Sequence, residues 1–360
     1  MFINGMDVSM INELEEAGAR YFHHGKETDI FKIFKNTGVN LIRLRLWNDP
    51  YSESGEAYGG GTNDLSTTLL LAKRSVKNGL KLMIDFHYSD FWADPSKQHK
   101  PKAWKKLTGE KLNNEVYQYT LSVLKTLAEN HTTPQYVQIG NEITNGLLWP
   151  DGHIDCFTSM VKLLASGIRA VREFDEKIRI VLHLDCGSDN RLYRDWFGRT
   201  ADYGLDYDII GMSYYPYWND SLEKLLYNMD DISATFAKDI IVAETAFGYT
   251  TDDLGCKGMI FAQELAQKVP YPASKEGQMQ YLKALIDTIG RVKNKRCLGF
   301  IYWEPAWLPY PECAWTKEPG YQYLENDNGL VGNSWANQAL FDKYGNANPV
   351  FDLLGKVNIS

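Results

Sequence analysis

The chain contains the segment Val137-Gln138-Ile139-Gly140-Asn141-Glu142-Ile143-Thr144. It begins with apolar and β-branched residues, which favour a buried strand, and it changes abruptly to an amide and a carboxylate at Asn141 and Glu142. In parallel β/α proteins, ligands bind at the carboxyl ends of the strands. The stretch therefore predicts a buried parallel strand whose end presents these two polar groups to a ligand.

Seven further apolar runs of similar length recur along the chain, and the segments between them have helical periodicity. Eight strands alternating with helices are what a closed barrel needs, so we predict an α/β fold, a single (β/α)8 TIM barrel that forms one catalytic domain over residues 1–360. A doubly wound open sheet is the competitor, but the chain has no Gly-rich phosphate loop. The eight runs are 2–9, 40–47, 80–87, 135–142, 178–185, 207–215, 239–244 and 298–304.

Three of the segments between these runs have apolar residues at helical spacing. Gly79 is placed to end the first of these helices. The predicted buried faces are Leu65, Leu69, Ala72 and Val76 in the first helix, Val116, Val123 and Leu127 in the second, and Met279, Leu282, Ile286 and Ile289 in the third.

Composition excludes several classes of partner. The net charge of −8 disfavours nucleic acid, which binds clustered Lys and Arg, and no apolar run approaches the length needed to span a bilayer. The five cysteines are scattered without a CxxC pair, so we expect free buried thiols rather than zinc or disulfides. The first residues lack the features of a secretion signal, which favours a cytoplasmic location, with a secreted enzyme as the alternative if a leader precedes them.

Polar or aromatic residues stand at the predicted end of every run, and these ends meet at one mouth of a barrel. The chain also has ten Trp and 22 Tyr, which serve either for core packing or as platforms for sugar rings. The convergence of polar groups favours a binding site over isolated strand-end residues. The residues concerned are Asp7, Ser9, Arg45, Trp47, Asp85, His87, Tyr88, Asn141, Glu142, His183, Asp185, Ser213 to Tyr215, Glu244, Trp303 and Glu304.

A second carboxylate, Glu244, ends the run Ile240-Ile241-Val242-Ala243. The fourth and seventh strands of an eight-strand ring are nearly opposite, so Glu142 and Glu244 are predicted to face each other. Facing carboxylates are typical of glycoside hydrolysis, in which one is protonated and donates to the leaving oxygen while the other attacks the anomeric carbon. On the second strand, we expect Arg45 beside the nucleophile and the deeper Arg43 to be structural.

The chain resembles the clan A glycoside hydrolases in ending its fourth strand with Asn141-Glu142 and its seventh with Glu244. Within that clan it resembles family 53, the endo-β-1,4-galactanases, over almost the whole chain. The matching segments are Gly5 to Ser9, Val39 to Pro50 (VNLIRLRLWNDP), Tyr58 to Gly61, Asp85 to Pro95 (DFHYSDFWADP), Gly140 to Glu142, His183 to Asp185, Ser213 to Trp218 (SYYPYW), Tyr302 to Trp307 (YWEPAW) and Asn337 to Asp342 (NQALFD).

The resemblance implies a retaining hydrolase of β-1,4-galactan, of type I arabinogalactan in pectin, or of derived galacto-oligosaccharides. It implies that Glu142 is the acid/base, Glu244 the nucleophile, Asn141 a hydrogen-bond partner of the sugar 2-hydroxyl and Trp303 an indole platform. Asp342 is expected to be structural. Further expected galactose contacts are His87, Asp90, Trp92, Asp185 and Trp307.

No cofactor is expected for this chemistry. Bacterial relatives often carry calcium between the loops after strands seven and eight. Here that region offers Asp252-Asp253, which falls short of the six or more oxygens that calcium takes, so bound calcium stays an open alternative. Ala336 stands where the family often has an acidic residue, which affects a minor contact.

Other functions stay open at this point. The same barrel and carboxylates serve mannanases, xylanases and cellulases, because function depends on the rim. A catalytically inactive sugar-binding barrel is a second alternative, although both carboxylates are present. A metal-dependent hydrolase ranks last, since only His87 and His183 stand at strand ends.

Overall fold

Eight parallel strands close into one barrel in the computed structural model, which describes residues 2–256, 258–323 and 332–357. Each neighbouring pair is parallel, and the strands follow chain order around the ring. The predicted (β/α)8 TIM barrel is therefore confirmed. The strands are β1 (Ile3–Asp7), β2 (Leu41–Leu46), β3 (Lys81–Phe86), β4 (Tyr136–Ile139), β5 (Arg179–Leu184), β6 (Ile209–Ser213), β7 (Asp239–Thr245) and β8 (Cys297–Trp303).

Helices cover the outside of the barrel, and a continuous apolar cluster fills the space between them and the strands. Two short antiparallel hairpins, 22–27 and 146–153, lie in the connections. In the described residues, no helix is both long enough and apolar enough to cross a membrane. The helices are α1 (Ile11–Glu16), α2 (Ile30–Asn36), α3 (Leu65–Lys77), α4 (Gly109–Glu129), α5 (Phe157–Phe174), α6 (Asn190–Ala201), α7 (Leu222–Phe236), α8 (Gln263–Ala266), α9 (Lys275–Gly290) and α10 (Val350–Leu354).

The inside of the barrel is layered by the two-residue period of the strands. A lower layer is apolar and includes Leu41, Met83, Tyr136 and Val181. Two residues further along each of these strands stands a polar side chain, because residues i and i+2 face the same way. The upper layer therefore contains Arg43, Asp85, Gln138 and His183, which are all buried.

The predicted helix at α3 is confirmed, and Gly79 follows its end with a φ of +69°. Its predicted face is confirmed for Ala72, which is buried, and for Leu65 and Leu69, which are half-buried against the core, but it is wrong for Val76, which is 41% exposed. The buried face is centred on Thr68, Leu71, Ala72 and Ser75 instead. The hydroxyl of Ser75 donates to the Leu71 carbonyl at 2.8 Å, so this polar residue is buried without an unpaired donor.

The apolar faces predicted for α4 and α9 are confirmed. Val116, Val123 and Leu127 are buried in α4, and Leu282, Ile286 and Ile289 are buried in α9, where Met279 is half-buried.

All five cysteines are free, as predicted. The expectation that they are buried holds for Cys313 alone, because Cys156 is exposed and Cys186, Cys256 and Cys297 are half-buried.

Candidate active site

A cleft of about 580 Å³ opens at the carboxyl ends of the strands. Most of the predicted site residues line it: Glu142, Glu244, Asn141, Arg45, His87, Trp92, Asp185 and Trp303. Trp47, Tyr88 and Glu304 also follow strand ends, but they are buried and do not contribute to its lining.

Glu142 is presented to the cleft by a sharp turn after β4. Gly140 has a φ of +79°, and a Cβ at this position would lie 2.5 Å from the Ile143 side chain. Glu142 itself has a left-handed backbone with a φ of +45°. This turn lifts its carboxyl group off the strand, where Oε1 accepts a hydrogen bond from the Ser213 hydroxyl at 2.6 Å.

The pKa of Glu142 is raised well above the ordinary value of a glutamic acid. Burial is the main cause, and the negative charges of Glu244 and Asp185 add to it, whereas the hydrogen bond from Ser213 opposes it. Desolvation and like charges both disfavour the ionised form. These surroundings favour the protonated form of Glu142.

Glu244 reaches the cleft because β7 is irregular. The register between β6 and β7 shifts so that Ser213 pairs with Glu244, and such bulges redirect a side chain. Each carboxylate oxygen accepts one hydrogen bond. Oε1 accepts from Arg43 Nη1 at 2.9 Å, and Oε2 accepts from the Tyr215 hydroxyl at 2.9 Å. Burial and the negative charges of Asp7 and Asp85 raise the pKa of Glu244, whereas Arg43 and Tyr215 oppose that rise and hold the carboxyl group in one orientation.

The expectation that Arg45 lies beside the nucleophile and Arg43 is structural is wrong. Arg43 binds Glu244, and it also donates to Asp7 at 3.0 Å, Asp85 at 2.8 Å and Asn141 Oδ1 at 2.9 Å. Because the guanidinium group is long, an arginine one pleat deeper than the rim reaches the carboxylate from below.

Arg45 instead turns toward the β1 and β8 side of the cleft. It donates to Glu304 and to the Gly60 carbonyl, and its guanidinium lies 4.4 Å from the Trp92 ring centroid and 5.6 Å from that of Trp303. Arg45 therefore supports the aromatic side of the cleft and not the nucleophile.

Asn141 has a fixed amide orientation. Its Nδ2 donates to the Ala93 carbonyl at 2.9 Å, and its Oδ1 accepts from Arg43, which has donors only. The side chain lines the cleft beside Glu142, and its contact with a sugar 2-hydroxyl stays a prediction.

Two other predicted contacts, His87 and Asp185, line the cleft with their polar atoms already engaged. His87 Nδ1 lies 3.1 Å from Trp47 Nε1 and 3.3 Å from the Ala93 backbone nitrogen, while Nε2 faces Asp85 at 3.1 Å. Asp185 accepts from the Thr144 hydroxyl.

The predictions that Asp90 and Trp307 contact galactose directly are wrong. Asp90 is buried outside the cleft, where it accepts from the backbone nitrogens of Asp49 at 3.0 Å and Lys102 at 2.7 Å and so ties two loops together. Trp307 is completely buried, donates to the Cys313 carbonyl and stacks on Trp315 with centroids 5.4 Å apart. Trp307 therefore supports a residue of the cleft from behind.

Indole rings make one wall of the cleft. Trp92 stacks on Trp315 with a centroid distance of 4.5 Å, and Trp303 meets Trp335 edge-on at 4.6 Å. Trp218 is 52% exposed at the rim. Trp218 lay in a recognised segment, but no sequence signal indicated Trp315 or Trp335, because both follow β8 in a long irregular connection.

Close groups of metal-ligating side chains are rare in the described part of the chain. Among the described residues, the one group of three close His, Cys, Asp or Glu side chains able to hold an ion is His23, His24 and Asp352. Asp252 and Asp253 are outside that group, and bound calcium between the loops after β7 and β8 stays an untested alternative.

The closed β/α barrel, with a carboxyl group at the ends of β4 and β7 and an indole-lined cleft between them, defines a glycoside hydrolase. The model of Glycosyl hydrolase family 53 matches residues 3–354. The chain belongs to this family.

Relatives cover nearly the whole chain. An uncharacterized protein in the bgaB 5′ region of Niallia circulans is 40% identical over 353 residues, which are 95% of this chain and 90% of that protein. The endo-beta-1,4-galactanase of Bacillus subtilis (strain 168) is 36% identical over 366 residues, which are 97% of this chain and 84% of that protein. The solved Ignisphaera aggregans GH53 catalytic domain is 40% identical with a TM-score of 0.92, and the match covers 98% of this chain and 95% of that one.

Proposed function

We propose that residues 1–360 form one catalytic domain, a retaining endo-β-1,4-galactanase. Its substrate is galactan, the β-1,4-linked galactose chain of type I arabinogalactan in pectin, or galacto-oligosaccharides derived from it. The observation that carries the proposal is the unequal pair of carboxyl groups. Glu244 is held by Arg43 and Tyr215, whereas Glu142 has burial and neighbouring negative charge to keep it protonated.

The proposed reaction has two displacements. Glu244 attacks the anomeric carbon, and Glu142 donates its proton to the leaving glycosidic oxygen as that carbon–oxygen bond breaks. The ionised Glu142 then takes a proton from water, whose oxygen attacks the anomeric carbon and releases Glu244. Two inversions at one carbon give net retention, and no step needs a cofactor.

Galactan is the proposed substrate because the relative from Bacillus subtilis is named an endo-beta-1,4-galactanase. Barrel and carboxylates alone do not separate galactan from mannan, xylan or cellulose, since the rim decides specificity. The wall of Trp92, Trp303 and Trp315 supplies stacking faces for sugar rings.

The test is the initial rate on galactan, mannan, xylan and a soluble cellulose at equal mass concentration. The proposal expects the highest rate on galactan, a mixture of oligosaccharide lengths among the early products, and the β anomer as the first product seen by proton NMR. A faster rate on another polymer would overturn the substrate, and a first-formed α anomer would overturn the retaining mechanism.

The same assay with galacto-oligosaccharides of increasing length tests whether the enzyme acts inside or outside the cell. An enzyme that cleaves only short galacto-oligosaccharides fits the cytoplasm, where imported sugars are degraded, whereas one that cleaves long galactan fits a secreted enzyme.

Turnover after exhaustive dialysis against EDTA is expected to persist, and its loss with recovery on calcium would show that an ion is needed.

A further inference from the structure

The two carboxyl oxygens of Glu142 have different surroundings. Oε1 points to the barrel wall and accepts from the Ser213 hydroxyl at 2.6 Å. Within the described residues no donor reaches Oε2, and the Glu142 side chain lines the cleft. One oxygen is therefore engaged by the protein, while the other is left for substrate.

Ser213 is in turn bonded to a buried histidine. The Nε2 atom of His183 lies 2.9 Å from Ser213 Oγ, and this histidine is completely buried near the end of β5. A serine hydroxyl has one hydrogen, so if it donates to Glu142 it accepts from His183. That arrangement requires the hydrogen of His183 to be on Nε2.

The opposite side of the His183 ring favours the same tautomer. The Glu142 backbone N–H donates to Nδ1 at 3.5 Å, which requires that Nδ1 carry no hydrogen. The Gln138 amide nitrogen also lies 3.1 Å from Nδ1, but it has shorter contacts with Asp85 Oδ1 at 2.7 Å and the Gly140 carbonyl at 3.0 Å. The Asn141 Oδ1 atom lies 3.1 Å from Nδ1 and accepts from Arg43 Nη2 at 2.9 Å. The backbone donor at Nδ1 and the Ser213 hydrogen bond to Glu142 together place the ring hydrogen on Nε2.

We propose that His183 and Ser213 form a one-way hydrogen-bond chain that reserves Oε1 of Glu142 as an acceptor and so places the acid proton on Oε2, toward the cleft. The hydrogen bonds run from His183 Nε2–H to Ser213 Oγ, and from Ser213 O–H to Glu142 Oε1. This inference deepens the proposed function, because it rests on Glu142 as the acid/base. His183 and Ser213 are positioning residues, since neither touches the reacting atoms.

The charges around the chain are compatible with a neutral His183. Burial and the positive charge of Arg43 lower the pKa of His183 well below its ordinary value, and His87 adds to this. Glu142 faces three carboxyl groups, on Glu244, Asp185 and Asp94. The titratable groups of Cys186, Tyr193 and Tyr215 also face Glu142.

The first test needs no substrate. Long-range ¹H–¹⁵N NMR of histidine-labelled enzyme distinguishes the two neutral tautomers of each ring. We expect His183 to stay in the Nε2–H form while Glu142 titrates. His87 is an internal control, because donors from Trp47 and Ala93 on Nδ1 fix it in the Nε2–H form. A His183 ring with its hydrogen on Nδ1, or a doubly protonated ring, would overturn the proposal.

The second test compares Ser213→Ala with Ser213→Thr, which keeps the hydroxyl. Because the Ser213 hydrogen bond stabilises the ionised form of Glu142, its loss is expected to move the alkaline limb of the kcat/KM profile upward by about 0.5–1 pH unit. The Thr variant is expected to restore the limb. Lower activity in Ser213→Ala with an unmoved limb would overturn the proposal.

These outcomes are separable from failure of the proposed function. If galactan is not hydrolysed, the tautomer of His183 is still measurable, and the Nε2–H form would still establish the chain. If galactan is hydrolysed but His183 has its hydrogen on Nδ1, the proposed function is retained and the proposed hydrogen-bond chain is excluded.

Discussion

The ends of β4 and β7 carry the same side chain in contrasting surroundings. Burial raises the pKa of both Glu142 and Glu244, so burial alone does not distinguish the two carboxyl groups. Carboxyl groups also face both: Asp7 and Asp85 raise the pKa of Glu244, and Glu244, Asp185 and Asp94 raise that of Glu142. The difference is the hydrogen-bond partners, because Glu244 has a cation and a hydroxyl on its two oxygens whereas Glu142 has a single serine. We infer the two proposed roles from these partners.

The largest expected effect comes from removing the ionised member of the pair. Glu244→Gln keeps the shape of the side chain but removes the carboxylate that acts as nucleophile. We therefore expect kcat on galactan to fall by about 10⁴-fold or more. Steady-state kinetics measures the loss, and circular dichroism checks that the fold persists. Activity within about tenfold of the parent enzyme would exclude Glu244 as the nucleophile.

Removing the carboxyl group of Glu142 is expected to lower the rate less than the loss of Glu244 does, and the size of this effect should depend on the leaving group. Glu142→Ala should lower the rate on galactan by about 10²–10⁴-fold, because proton donation is lost. An aryl galactoside with an acidic phenol needs no such donation, and azide can replace the activated water in the second step. Equal losses on good and poor leaving groups would contradict the acid/base role.

The two arginines of β2 have different partners and can be tested with the same substitution. Arg43→Lys removes the guanidinium, whose Nη1 donates to Glu244 and whose Nη2 donates to Asn141, and we expect a fall in kcat of about 10²-fold. Arg45→Lys should act mainly on KM, because Arg45 packs against Trp92 and Trp303. Thermal melts of both variants control for stability, and a larger kcat loss in the Arg45 variant would reverse this assignment.

A smaller effect is expected from the hydroxyl on the other oxygen of Glu244. The Tyr215 hydrogen bond lowers the pKa of Glu244, so Tyr215→Phe raises that pKa. The nucleophile must be ionised, and the acid limb of kcat/KM should therefore move to higher pH by about 0.5–1 unit. If the acid limb of the kcat/KM profile moves to lower pH or does not move, the proposed role of the Tyr215 hydroxyl is contradicted.

Much of this architecture was predictable from sequence because it follows local patterns. Six of the eight strands lie within predicted apolar runs, β7 and β8 each extend one residue beyond theirs, and both carboxyl groups stand where their runs end. Strand alternation also placed Arg43 and Arg45 on one side of β2. Periodicity gives the face of a residue but not the direction of a long side chain, and this is why the roles of the two arginines were exchanged.

Residues outside the strands were less predictable for a related reason. Asp90 and Trp307 lie in matching segments, but burial and backbone partners turn them away from the cleft. Trp315 and Trp335 enter the cleft from a long connection after β8, where no period constrains a side chain. His183 and Ser213 meet across β5 and β6, and only the closed barrel determines that contact.

We propose that Glu244 forms the covalent bond to sugar and that Glu142 does not. A 2-fluoro-galactosyl substrate with an activated leaving group slows the second displacement, so the covalent intermediate accumulates and can be located by peptide mass spectrometry. We expect one added fluorogalactosyl unit on Glu244. An adduct on Glu142, or complete turnover without any adduct, would contradict it.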